Sequence, residues 1–309
     1  MLRRPVGIIT LVLALAAVSA HAQPPVVRTA DPIKRGMQLT DFPRTVKVAD
    51  NVYTYEDFHA GPEKFTTTNM FVVTRDGVLV ADGQGSAAET KGLVDAIATV
   101  TPKPITTVVI ASDHGDHTAG NASFPAGVHY IIHPNSKAIL DKARSGWKPP
   151  ADTEFVADKT TVTLGGEDMQ ILFLGRSHTG GDLAVWLPRE KILFLSEIYL
   201  NRVFPAMRSA YPSEWLKALD RAIAMNADIY IAGHGFTETG AVSREEIRNY
   251  RTAMAAVIAE ATRLHKAGVP VEDAVKQANW GEYGSWTLAS SQGPIAIRKV
   301  YEELNGQLK

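Results

Sequence analysis

Residues 113–117 read Asp-His-Gly-Asp-His, which places two imidazoles and two carboxylates within five positions. Neither helix nor strand packing calls for such crowding. Neutral imidazole and carboxylate oxygen are, however, good zinc ligands at ~2.0–2.2 Å. Three of the nine histidines share a context, each lying directly or a few residues behind an apolar strand-like run. His114 follows "TVVIAS", His178 follows "ILFLGRS" and His234 follows "YIAG"; Glu197 closes "KILFLS" in the same manner. Glycines flank the histidines (Gly115, Gly180 and Gly181, Gly233 and Gly235), and glycine permits the tight turns that let an imidazole project from a loop. His114, Asp116, His117, His178, Glu197 and His234 together could supply the ligands of a two-metal site, where a bound water loses a proton near neutral pH and a carbonyl beside it is polarised. The chain has no cysteine, so every ligand must be imidazole or carboxylate, and no thiolate is available as a nucleophile.

The elements that must position these residues alternate in type. Short β-rich runs lie at 52–58, 69–74 and 77–82, a helical segment at 87–98, and further strands at 105–112, 128–133, 162–175, 183–188, 191–196 and 228–233. Helices are expected near 135–144 and 213–225. A capping box of Ser243 and Glu246 predicts a helix starting there, with Gly268 closing it and two shorter helices following at 271–278 and 291–305. Many strands with interspersed helices suggest packed sheets covered by helices outside.

The ordered motifs resemble the metallo-β-lactamase superfamily. "SDHGDHTAGN" is similar to its H-x-H-x-D-H signature, "VLVADGQGS" to the strand ending in Asp-Gly before it, "GRSHTGGDLAVWLPREKILFLSEIY" to its G-x-x-H-T-x-G-D segment, and "IAGHG" to its final histidine motif. The resemblance spans roughly residues 50–236 and implies an α/β fold, an αββα sandwich with the metal site at one edge of the two sheets. It implies a first site at His114 and His178, a second at Asp116, His117 and His234, and a bridging carboxylate at Glu197. Asp82 and Asp182 are expected to support ligand orientation. Two departures stand out: Ser112 occupies the signature's first histidine position, and glutamate replaces the usual bridging aspartate. Glu197 can bridge, bind one metal, or be solvated. Asp113 is an available substitute ligand, but in an extended segment it points away from Ser112. The expectation is therefore one tightly bound zinc at the second site, with the first site weak or empty.

His59, Tyr199 and Asn201 are candidates to line a substrate pocket. Arg3 and Arg4, the apolar run from Val6 to Val18 and the A-x-A-like Ala20–Ala22 predict a cleaved signal peptide (1–22) and a periplasmic or secreted protein without a lasting membrane anchor. A Pro-rich extended leader (23–46), the metallo-β-lactamase-like domain (47–240) and a C-terminal helical extension (241–309) follow. Without the signal, 30 basic side chains face 33 acidic ones, which gives no footprint for nucleic acid. These features point to an exported zinc hydrolase that uses metal-bound hydroxide on an ester, thioester, lactone or β-lactam-like carbonyl of a small molecule. The rival reading is a non-catalytic or redox-accessory protein with a degenerate first metal site.

Overall fold

The computed structural model describes residues 27–58, 63–143 and 146–308, so the expected signal peptide and His59 lie outside the described residues. Strands β1 (Arg44–Lys47), β2 (Val52–Phe58), β3 (Thr66–Val73), β4 (Val78–Ala81), β5 (Ile105–Ile110), β6 (His129–Ile132) and β7 (Glu154–Phe155) form one sheet in that order. Strands β8 (Lys159–Leu164), β9 (Glu167–Phe173), β10 (Leu183–Leu187), β11 (Ile192–Phe194) and β12 (Ile229–Ile231) form the second. The helices are α1 (Ala87–Val100), α2 (Gly115–Thr118), α3 (Pro134–Lys142), α4 (Pro212–Ala224), α5 (Gly240–Lys266), α6 (Val271–Gln277) and α7 (Ala289–Leu304).

Strand alternation sorts the side chains into layers. On β4, Leu79 and Ala81 face Ile171, Val185 and Phe194 of the second sheet, while Val78 and Val80 face Leu93 and Ile97 of α1. On the outer face of the second sheet, Ala184 and Leu193 pack with Trp215 of α4, Tyr250 of α5 and Val300 of α7. The result is helix, sheet, sheet, helix: the αββα sandwich that the resemblance implies. Among the described residues no helix is long and apolar enough to cross a membrane.

The differences from the sequence reading have local causes. The run at 162–175 is a hairpin, broken between β8 and β9 by Gly165 and Gly166 at φ +59° and +87°, a region open to glycine at little cost. The end of the expected leader is not free: β1 pairs antiparallel with β2, and Arg44 Nε donates to the buried Glu56 Oε2 at 2.7 Å. Strand β3 begins at Thr66 rather than Asn69, since its polar start hydrogen-bonds across to the chain around His234. The capping box fails. Helix α5 begins at Gly240, which leaves Ser243 and Glu246 inside it and buried. Both are used for tertiary contacts. Ser243 Oγ accepts from Tyr230 N at 2.8 Å, and Glu246 accepts from Arg202 Nε at 2.6 Å. Ser243→Ala is accordingly expected to cost about 1–3 kcal/mol, the penalty for stranding a buried N–H on β12, rather than a few tenths from helix fraying. Urea unfolding of the two proteins measures the difference.

Candidate metal centre

Four segments meet at one edge of the sandwich. β5 ends at Ile110 and runs into α2, whose single turn is fixed by Thr118 Oγ1 donating to His114 O at 2.8 Å and carries Asp116 and His117. β11 ends at Phe194 and turns into Glu197, parallel β12 delivers His234, and the loop before β10 supplies His178. Parallel strands put their C-terminal ends at the same edge, so ligands distant in sequence become neighbours.

The six candidate ligands form two donor groups that share Glu197. In the first group, His234 Nε2 lies 3.1 Å from Asp116 Oδ2 and 3.3 Å from Glu197 Oε1. His117 Nε2 lies 3.6 Å from Asp116 Oδ2 and 4.0 Å from Glu197 Oε1. Bonds of ~2.0–2.1 Å to a tetrahedral zinc require donor atoms ~3.3–3.4 Å apart, and the observed separations straddle that value. His117 Nε2 is buried with no hydrogen-bond partner, a costly state for a polar atom that a cation would relieve. This group fits a zinc ion. The second group holds three donors: His114 Nδ1 is 3.0 Å from Glu197 Oε2, and His178 Nε2 is 3.0 Å from His114 Nδ1 and 3.1 Å from Glu197 Oε1. Ser112 stands beside this group. Its hydroxyl donates to Glu197 Oε2 at 2.7 Å and thereby orients the shared carboxylate. Asp113 belongs to neither group.

Supporting contacts fix these side chains. Asp82 Oδ1 accepts from Ala111 N at 2.7 Å and Ser112 N at 3.2 Å. Its Oδ2 accepts from Ser196 Oγ at 2.5 Å and lies 3.1 Å from His117 Nδ1, so one buried carboxylate ties the β5–α2 segment to the turn that carries Glu197. Asp82 and Ser196 both hold left-handed backbone, φ +63° and +46°, a strain tolerated where the surroundings over-determine it. Asp182 accepts from Ser177 Oγ at 2.7 Å and from Thr179 N and Oγ1 at 2.6 Å each, closing the His178 loop. His234 Nδ1 donates to Thr66 O at 3.0 Å, leaving Nε2 for the cluster, and Thr66 Oγ1 donates to Gly235 O at 2.6 Å. Among the flanking glycines, Gly235 needs φ +86° and Gly233 packs against the Ser196 carbonyl, where a Cβ would come within 2.7 Å. Gly115 meets neither condition, so the expectation that it serves a tight turn does not hold there.

The metal-free cluster holds protons. Burial disfavours the His114 imidazolium, but the Glu197, Asp116 and Asp113 carboxylates outweigh it and raise this group to about 10. His234 is likewise raised to about 10, burial being overcome by Asp116 and Glu197. Burial would raise Glu197, yet His114 and His178 hold it well below the usual carboxylate range. Zinc binds neutral imidazole, so loading at pH 8 is expected to release roughly one to two protons per chain. The signs for stability follow. The imidazolium contribution is complete below the unfolded value of 6.5 and is lost as pH rises through about 10, so the metal-free chain weakens over that window. Protons compete with zinc, so the loaded chain weakens in the opposite direction. Indicator-dye titration and thermal melts with and without chelator check both signs.

The cluster opens into a pocket of about 160 Å³ walled by Phe65, Leu200, Val203 and Leu288, with Arg208 and Gln292 at its side. Tyr199 and Asn201, expected to line it, do not. Leu200 pairs with His234 in an isolated bridge and faces the pocket, so its extended neighbours point the other way. Tyr199 is buried against Tyr250, and Asn201 Nδ2 donates to Phe236 O at 2.6 Å. Arg208 is one of two arginines in the loop after Glu197, and nothing local separates it from Arg202. Leu288 and Gln292 arrive with α7, and no local pattern announces that.

A family model described as the metallo-beta-lactamase superfamily matches residues 64–234. The 2,4-dinitroanisole O-demethylase subunit alpha of Nocardioides sp. (strain JS1661) is 22% identical over 225 residues, 72% of this chain and 66% of that protein. Metallo-beta-lactamase IND-1 of Chryseobacterium indologenes is 24% identical over 205 residues, 64% of this chain and 84% of that protein. The sec-alkylsulfatase Pisa1 from Pseudomonas sp. superposes with a TM-score of 0.69 at 15% identity, covering 90% of this chain and 52% of its own, a likeness that speaks for the fold alone.

Proposed function

The chain belongs to the metallo-β-lactamase superfamily, and on that premise we propose that it is an exported zinc-dependent hydrolase acting on an ester, thioester, lactone or β-lactam-like carbonyl. The superfamily is generally metal-dependent and usually uses zinc. The observation that supports the reading best is the pair of donor groups sharing Glu197 at the base of an open pocket. Zinc, when bound, lowers the pKa of water to near neutrality and polarises a carbonyl. The chain's own residues do the remaining work. Asp116, partly exposed in the pocket, orients the attacking water and receives its proton. Phe65, Leu200, Val203 and Leu288 seat the apolar part of the substrate and exclude bulk water.

Arg208 is exposed at the pocket and has no carboxylate partner among the described residues, so it favours substrates with an anionic group. Arg208→Ala is expected to raise KM about tenfold for an anionic substrate, with kcat nearly unchanged and neutral substrates unaffected. Steady-state kinetics on a charged and neutral pair decide it.

The reading is tested by offering the zinc-loaded chain a panel of lactone, thioester, phosphodiester and β-lactam substrates. Hydrolysis of at least one carbonyl substrate, abolished by chelator and restored by zinc, is expected. A fully loaded chain that turns over none of them supports the rival reading, a metal-binding protein whose lost function lies at Ser112. Export is supported by Arg3, Arg4 and the apolar run to Val18, and N-terminal sequencing of the processed protein should begin near Gln23.

A further inference from the structure

Strand β6 lies parallel between β5 and β7 and ends at Ile132, level with Ile110, so the chain after it emerges at the edge where the ligands gather. Helix α3 starts there. Pro134 presets its first turn, and His133 caps it by accepting from Asn135 N at 3.1 Å. That turn holds Asn135 and Ser136 against the His178 loop. Asn135 Nδ2 donates to Gly180 O at 2.8 Å, and the fully buried Ser136 donates from Oγ to Gly181 O at 3.0 Å. The approach is close enough to require glycine, since a Cβ at 181 would stand 2.4 Å from Ser136 Oγ. The Ser136 side chain is also hydrogen-bonded with the carboxyl group of Asp113, the residue before His114. One buried hydroxyl therefore joins the two segments that carry His114 and His178, and it bonds to neither imidazole.

His178 depends on such support. The outer nitrogen of His117 lies 3.1 Å from the Asp82 carboxylate, and that of His234 donates to Thr66 O, but His178 Nδ1 is buried with no hydrogen-bond partner. Partners of that kind normally fix a ligating ring. The His178 ring is set instead by Trp215, edge-on at 5.1 Å, and by the course of its own loop. We propose that Ser136 is a positioning residue for the three-donor group. It sets the spacing of the two loops, hence the 3.0 Å between His178 Nε2 and His114 Nδ1, and with it the zinc affinity of that group alone.

The inference rests on the metal-centre reading, and one titration separates the two. Chelator-stripped full chains take up zinc against a chromophoric competitor, with His178→Ala identifying the weaker equivalent. A parent chain with no second equivalent would overturn the metal reading of the His114 and His178 group, and the proposal with it. Ser136→Ala should weaken the second equivalent about tenfold and hold the tight one roughly within twofold, which also shows that the variant is folded. Asn135→Ala, exposed on the same turn, should weaken the second equivalent about threefold. A Ser136→Ala chain with an unchanged second equivalent, or with equal losses at both, would overturn the proposal and leave the metal centre standing. Should Ser136→Ala fail to fold, an Asn135→Ala chain without any shift would overturn it in the same way.

Discussion

Glu197→Ala is expected to empty both donor groups at once. Each group contains other residues that the other lacks, but this carboxylate is common to both. Its removal takes one donor of four from the Asp116, His117 and His234 group and one of three from the His114 and His178 group. It also removes the charge that faces His114, His178 and His234 within 3.0–3.3 Å. Zinc affinity should fall on the order of a thousandfold, and turnover should disappear with it. His117→Ala and His178→Ala make the controls, since each touches one group only. His117→Ala should remove the tight zinc, while His178→Ala should leave it. Metal analysis after dialysis reads all three, with circular dichroism to show that the sandwich persists. A Glu197→Ala chain that keeps a full equivalent of zinc would break the shared-ligand arrangement.

Ser112→Cys is expected to act in the opposite direction. Ser112 is fully buried, so the larger histidine would crowd its surroundings, whereas cysteine is nearly isosteric. The serine oxygen already reaches Glu197 Oε2 at 2.7 Å, which places a sulfur at that position beside His114 and His178. A thiolate binds zinc at ~2.3 Å and gives the three-donor group the fourth donor it lacks. The weak second equivalent should tighten roughly tenfold to a hundredfold. Cobalt-substituted protein should gain a thiolate-to-metal charge-transfer band that the parent lacks. Absence of the band, with unchanged zinc affinity at the His114 and His178 group, would mean that position 112 does not border a metal.

The ligand-bearing stretches were legible in the sequence because their chemistry is local. A strand-like run, a small residue and then a histidine or carboxylate is a pattern that survives without knowledge of the fold, and it places His114, His178, Glu197 and His234 at one edge. What was not legible depends on contacts between distant segments. Thr66 reads as a polar break before a strand, yet it holds both His234 Nδ1 and the Gly235 carbonyl. Ser243 and Glu246 match a capping pattern, but tertiary partners on β12 and at Arg202 claim them, and the helix begins three residues earlier. Tyr199 and Asn201 looked like pocket residues because they follow Glu197. The bridge between Leu200 and His234 sets the phase of that segment and turns both inward. The pocket wall from Leu288 and Gln292 is set by how α7 docks, and docking has no signature in a single chain.

The central claim is a metal centre with unequal halves, four donors in one and three in the other. Zinc titration of the chelator-stripped full chain against a chromophoric competitor tests it most directly. The account predicts one tight equivalent, lost in His117→Ala, and a second that binds distinctly more weakly and is lost in His178→Ala. A stripped chain that takes up no zinc in competition, or a tight equivalent indifferent to His117, would contradict it.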